Sequence, residues 1–301
     1  MSASPRKTRK PGLTATRPKS RKANALVGLS VRCWGVRGSI PAPGSTTARY
    51  GGNTPCVEVR CGDERMIFDL GTGARVLGEA NAGAPMSGHI FFTHYHYDHL
   101  QGLPFFSPVF DPRNRFTIMG PTRHGRAVRD VIVGQMQQPY FPVTAEMVFR
   151  AQLDYRPFAE GDRHPIGEAL VTALEVNHPG GNLSYRVDYR GKAVVFATDH
   201  EHGTDRDRQL EKFAHGADVL IYDAMYSEDE YRGKGGPPRI GWGHSTWQAA
   251  AKIATRAKVK QLLLYHHDPA RTDVALDAIV KQVRRLRPEA SAAREGQTIQ
   301  L

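Results

Sequence analysis

The run Thr93-His94-Tyr95-His96-Tyr97-Asp98-His99, directly after the apolar stretch His89-Ile90-Phe91-Phe92, constrains this chain more than any other segment. Three imidazoles and one carboxylate within six residues form a ligand cluster that packing alone does not call for. His94 and His96 lie two residues apart at the end of an extended segment, so their side chains leave on the same side and can grip one cation. Asp98 and His99 follow where the chain turns and can face a second cation beside the first. Neutral imidazole with carboxylate suits zinc, and also manganese or iron.

Around this cluster the chain reads as alternating β and α elements. Strands are expected over Ser30–Gly35, Pro55–Arg60, Arg65–Asp69 and Phe116–Pro121, then over Ala169–Asn177, Leu183–Asp188, Lys192–Asp199, Val219–Asp223, Gln261–His266 and Gln297–Leu301. Gly62-Asp63 reads as a hairpin turn. Helices are expected after Gly71-Thr72-Gly73, within Leu100–Phe106, near Arg126–Gln137, and over Thr246–Ala257 and Asp273–Leu286. Gln138–Val143, two prolines around two aromatics, reads as a loop at the site mouth or a packed connector. Several strands end in a residue able to bind a cation: His178, Asp199 and His266 are the candidates. One tetrahedral site needs only four ligands, which the first cluster nearly supplies, so these extra residues argue for two metals.

The His-x-His-x-Asp-His run, followed by single His, Asp and His residues at strand ends in that order, resembles the metallo-β-lactamase fold superfamily from about Val31 to the C-terminus. The resemblance implies an α/β fold, a four-layer αββα sandwich. It implies His94, His96 and His178 on one metal, Asp98, His99 and His266 on the other, and Asp199 bridging both. Two divalent ions are expected, zinc first and manganese second. Gly241-Trp242-Gly243-His244-Ser245-Thr246, with His244 22 residues before His266, is similar to the His-Ser-Thr element of the phosphodiesterase branch. That branch includes ribonuclease Z, class II cyclic-nucleotide phosphodiesterases and the phosphonate-pathway cyclic phosphodiesterase. Trp34–Ser39 and Tyr50–Thr54 look like a bacterial subgroup of these proteins.

Ser245 with Gln248 reads as a capping box that sets His244 before a helix N-terminus, where a phosphate is favoured. His244 and Asp98 are the expected catalytic residues, His244 stabilising charge or protonating the leaving oxygen. His266 is preferred over His267 as the last ligand. His200, His202, Asp69 and Asp223 are expected to orient ligands, whereas His124, His164 and His215 read as surface or structural. The expected activity is dinuclear metal-dependent hydrolysis of a small phosphodiester of cyclic-nucleotide or dinucleotide type. Processing of tRNA 3′ ends ranks lower, because His178 to Asp199 spans only 21 positions and leaves no room for the projecting arm of ribonuclease Z. Thioester or lactone hydrolysis does not explain His244, and a non-catalytic metal-bound regulator would not need the complete ligand set.

The net charge of +11 suggests a nucleic-acid binder until its distribution is read. Eight of those charges lie in residues 1–30, which hold no acid, leaving the remainder near +3. A disordered basic tail is therefore expected over 1–29, with one hydrolase domain over 30–301. The tail lacks the apolar core of a secretory signal and reads as a solvated extension ahead of a nucleic-acid or lipid contact. No stretch approaches the length of a membrane span. Cys33, Cys56 and Cys61 cannot all pair, so a reducing, cytoplasmic setting is expected, with thiols serving as small apolar side chains. The expected partner is a small phosphodiester rather than nucleic acid, and a homodimer is allowed.

Overall fold

In the computed structural model, Met1 and residues 28–301 are described. The expected tail lies outside the described residues except for Met1, Gly28 and Leu29, and Leu29 already pairs in the first strand. Short β-branched and aromatic runs separated by turns make strands. The first half of the described chain lays down β1 (Leu29–Gly35), β2 (Cys56–Cys61), β3 (Glu64–Phe68), β4 (Ser87–Phe91), β5 (Arg115–Gly120) and β6 (Gln152–Pro157) in one sheet. The second half lays down β7 (Arg163–Ile166), β8 (Ala169–Val176), β9 (Asn182–Tyr189), β10 (Lys192–Ala197), β11 (Val219–Asp223), β12 (Gln261–Tyr265) and β13 (Ser291–Ala292) in another. The last strand, β14 (Thr298–Gln300), returns to the first sheet and pairs antiparallel with β1. In each sheet a set of antiparallel hairpins leads into a parallel set, β3 to β6 in one and β10 to β13 in the other.

Helices cover both outer faces. On the first sheet lie α1 (Gly73–Ala80) and α3 (Val128–Gly134); on the second lie α5 (Arg206–Phe213), α7 (Trp247–Arg256) and α8 (Asp273–Val283), while the four-residue helices α2 (Tyr97–Leu100), α4 (Ala145–Val148) and α6 (Glu228–Tyr231) sit in the connections. The result is the expected αββα sandwich. The middle layer is apolar: Phe68 stacks on Phe91 at 5.3 Å and Tyr185 packs against both. Such ring pairs add about 0.5–1.5 kcal/mol beyond area burial. Two hydroxyls sewn through this layer tie the sheets together: Tyr185 donates to the Phe92 carbonyl and Tyr265 to the Gly35 carbonyl, each at 2.6 Å. Cys33, Cys56 and Cys61 are unpaired and buried, and burial pushes the Cys33 thiol up to about 12. No helix among the described residues is long and apolar enough to cross a membrane.

Three expectations are corrected. The helix expected within Leu100–Phe106 starts earlier, at Tyr97, and continues as two single 3₁₀ turns, Leu103–Phe105 and Ser107–Phe110. Pro104 and Pro108 near the start of those turns remove the amides a longer helix would need. Strands β6 and β7 add to the expected set; they are short edge strands, more than half of their residues are exposed and each contains a proline, as edge strands often do. Finally, α7 is capped by Thr246, not Ser245: the Thr246 Oγ1 accepts from the Ala249 amide at 3.1 Å, while Gln248 accepts from the Glu228 amide instead. Ser245 is buried and engaged with the Tyr222 hydroxyl, His202 and Asp223. Thr246→Ala is therefore expected to cost about 1 kcal/mol of stability in urea denaturation, and Ser245→Ala to leave the helix cap intact.

Candidate metal centre

Strands β8, β10, β11 and β12 all point the same way, because β8 and β10 flank the antiparallel β9 and β10 to β12 are parallel. Their C-terminal ends share one rim with the end of β4. From that rim hang His178, Asp199, Asp223, His266 and the 94–99 run. Asp69, Asp199 and His266 leave their strands with φ of 61°, 50° and 58°, and Ser39 beside them has 63°. Backbone in this left-handed region is strained for residues with a side chain, and such strain gathers where function fixes geometry.

Two ligand-capable sets result, each with its atoms within 4.8 Å of one another: His94, His96 and His178, and Asp98, His99, Asp199 and His266. Asp199 stands between them. Its Oδ1 lies 3.3 Å from His99 Nε2 and 3.2 Å from His266 Nε2, while its Oδ2 lies 3.8 Å from His94 Nε2 and 3.9 Å from His178 Nε2. A third grouping, Asp199, Asp223, His244 and His266, overlaps the second. Asp223 is already committed there, since it accepts from His244 Nδ1 at 2.8 Å and from the Ser245 amide.

The outer hydrogen bonds decide which ring nitrogens face inward. Thr93 donates its hydroxyl to Asp69, so it accepts from His94 Nδ1 and leaves a lone pair on His94 Nε2. His99 Nδ1 donates to Asp69 at 2.8 Å and His178 Nδ1 to the Gly243 carbonyl at 2.8 Å, which frees the Nε2 atom of each. Buried His94 Nε2 and His99 Nε2 then have no hydrogen-bond partner. His178 Nε2 faces His96 Nδ1 at 3.1 Å, a contact that needs a shared proton or a shared cation. Burial lowers the basicity of His94, His96 and His178, the last to about 4, which keeps them neutral as ligands must be. His99 goes the other way: burial opposes its charge, but Asp98, Asp199 and Asp69 outweigh burial and hold it well above the ordinary range. Buried lone pairs converging on carboxylates fit divalent cations, and these seven residues are the ones that would hold them.

His244 is outside both sets yet part of the same cavity. A space of about 500 Å³ is lined by Ser39, Tyr95, His96, Tyr97, Asp98, Asp199 and His244. Burial disfavours the charged His244 ring, but Asp223, with Asp199 and Asp98 behind it, prevails and raises it to about 9. Of the pair 266 and 267, His266 turns into the centre, 3.1 Å from Asp98 Oδ2, whereas His267 contacts the Ala293 carbonyl and burial lowers it to about 3. Asp69 holds the expected ligand His99 in place, whereas Asp223, expected to orient a ligand, is bonded to His244. His200 instead pairs with Asp207, and His202 with Ser245 and Glu228, one layer behind the cavity. His124 is exposed, as expected, at the border of a neighbouring cavity, while Phe141 of the Pro-rich loop packs on Phe105.

Sequence reasoning missed Ser39, whose amide donates to Asp98 Oδ2 at 2.7 Å, and Glu201, which accepts from the Gly241 and Gly243 amides and from the Tyr231 hydroxyl. Glu201 thus clamps the strap that carries His244. A backbone donor has no sequence signal, but Glu201 stands two residues after Asp199 in the same loop.

Residues 67–267 match the family model described as beta-lactamase superfamily domain. Among curated proteins, ribonuclease Z of Natronomonas pharaonis is 29% identical over 79% of this chain and 86% of its own length. The uncharacterized protein ML1173 of Mycobacterium leprae is 26% identical over 84% and 83%. Among solved structures, the metallo-beta-lactamase fold protein YhfI of Bacillus subtilis superposes with a TM-score of 0.68 at 20% identity, covering 91% of this chain and 99% of that one. A diphosphatase of the PhnP family reaches 0.68 at 17% identity, covering 91% and 98%.

Proposed function

Because the chain belongs to the metallo-β-lactamase fold superfamily, in its phosphodiesterase branch, and is a metal-dependent hydrolase, we propose that it hydrolyses a small phosphodiester of cyclic-nucleotide or dinucleotide type. The observation that carries this reading is the position of His244. Its Nδ1 is spent on Asp223 at 2.8 Å, it lines the same cavity as Asp98 and Asp199, and its ring stacks 4.9 Å from that of His266. Cations held by the two residue sets, zinc for preference, would supply Lewis-acid polarisation of the phosphoryl oxygens. Asp223 fixes the His244 ring so that Nε2 is left for the substrate, where it hands a proton to the leaving oxygen. Asp98, steadied by the Ser39 amide, borders the same cavity and keeps its charge because His99 and His266 outweigh the effect of its burial.

The test is metal content together with turnover of bis-p-nitrophenyl phosphate, cyclic nucleotides, thioesters and lactones. Metal-replete protein that cleaves thioesters or lactones but no diester would overturn the reading. His244→Ala is expected to lower kcat by about 10²–10³-fold while about two metals stay bound; loss of metal would make His244 a ligand instead. The names of the ribonuclease Z relatives favour a second reading, cleavage of tRNA precursors. Against it, β9 and β10 and the tight turn Arg190-Gly191 between them occupy the span from His178 to Asp199, leaving no projecting arm. A precursor tRNA in the substrate panel separates the two.

A further inference from the structure

Beside the reaction cavity lies a second one, of about 270 Å³, that shares Tyr95 and His96 with it and includes His94. Its far wall comes from the 120–131 segment: Arg123, His124 and Arg126, with Val131 behind. Its floor is Pro179-Gly180-Gly181, directly after His178. Gly180 has a φ of +82°, and a Cβ there would come to 4.0 Å from His124 Nε2. The bare backbone keeps the space between the histidine and the floor open.

The charges in this wall are not equivalent. Arg123 is compensated, its Nη2 lying 2.8 Å from both Glu175 oxygens. Arg126 is not: its Nη2 donates to the Asp130 main-chain carbonyl at 3.1 Å, and no carboxylate among the described residues pairs with it. That single contact steadies the guanidinium and leaves its charge and remaining donors available. His124 is exposed and held at a φ of +49°, a conformation unfavourable for a residue with a side chain. The wall therefore offers one net cation and an imidazole on one side of the proposed metal site.

We propose that this cavity is a subsite for a second phosphate, with Arg126 and His124 as its recognition residues. The substrate class is then a linear dinucleotide carrying a terminal phosphate in addition to its diester. His96 stands between the two cavities, so the diester and the terminal phosphate lie on either side of it. A guanidinium with free parallel donors is suited to a phosphate monoester dianion. A cyclic mononucleotide, with one phosphate only, leaves the subsite unused. This inference rests on the phosphodiesterase reading above and narrows it.

The experiment compares 5′-phosphorylated diadenylate with diadenylate lacking that phosphate, in metal-replete wild-type protein and in Arg126→Ala. Wild type is expected to favour the phosphorylated substrate in kcat/KM at least about tenfold, as one charge-assisted hydrogen bond allows. Arg126→Ala is expected to erase that preference and leave turnover of bis-p-nitrophenyl phosphate unchanged. Arg123→Ala is not the variant of choice, because it would strand Glu175. Calorimetric binding of the same two dinucleotides gives an answer without turnover. Diesterase activity with equal handling of both dinucleotides, or a preference that survives Arg126→Ala, overturns the subsite alone. Preferential binding lost in Arg126→Ala, with no diester cleaved, upholds the subsite and overturns the phosphodiesterase reading.

Discussion

Asp199→Ala is expected to reduce kcat on bis-p-nitrophenyl phosphate by about 10³-fold or more and to lower bound metal from about two ions to one or fewer. The reason is geometric: one carboxylate oxygen faces His99 and His266, and the other faces His94 and His178. Removing it takes the shared ligand from both sets: His94 and His178 lose the one carboxylate near them, while His99 and His266 keep only Asp98 on the cavity side. Thr198 donates to Asp199 Oδ1 at 2.6 Å and Asn182 to its carbonyl at 2.9 Å, so the wild-type side chain is locked in place. Asp199→Gly separates chemistry from folding. At a φ of 50° glycine is the unstrained choice, so this variant should fold at least as well as Asp199→Ala and be equally inactive. Full metal content in either variant, measured by elemental analysis, would remove the bridging role.

Metal removal should carry the largest effect on stability. His94, His99, Asp98, Asp199 and His266 are almost wholly buried, and two of their inward ring nitrogens find no protein partner. A ligand present at 10²–10³ times its dissociation constant stabilises the native state by about 3–4 kcal/mol. For a chain of this size that corresponds to about 10 °C in Tm. Chelation is expected to lower Tm by that amount and readdition of zinc to restore it. Asp199→Ala should show little further drop on chelation. An unchanged Tm in chelated wild type, with metal confirmed absent, would mean that the ligand cluster is satisfied without cations.

How much of this was legible depends on how local the signal is. The 94–99 run carries its chemistry within six residues, and the strand-terminal His178, Asp199 and His266 could be found because apolar runs announce the strand ends before them. His266 over His267 follows from alignment with the motif of the resembling family; both are buried just past β12, and only the tertiary contacts, Asp98 for His266 and the Ala293 carbonyl for His267, separate them. The cap of α7 was misread because Ser245 and Thr246 are chemically alike. What separates them is the buried contact of Ser245 with Tyr222, made across 23 positions of sequence. Edge strand β6 alternates only over the short run Gln152–Arg156, with Leu153 and Tyr155 on its inner face, and β7 is four residues with no alternation to show. Arg126, read only as the start of a helix, and His124, read as surface or structural, could not be assigned to a cavity, since their relation to Gly180 is purely tertiary and neither belongs to a motif.

The division of the two sheets between the two halves of the chain also sets an order in time. The ribosome releases His94, His96, Asp98 and His99 with β4, while His266 follows only after β12. At ordinary rates of synthesis the interval is on the order of 10–30 s. During that interval the nascent chain carries a partial set of ligands, joined half-way by His178 and Asp199 and completed only by His266, and β1 lacks its outer neighbour until β14 emerges. The full ligand set is therefore complete only late in synthesis, shortly before β14 closes the edge of the first sheet.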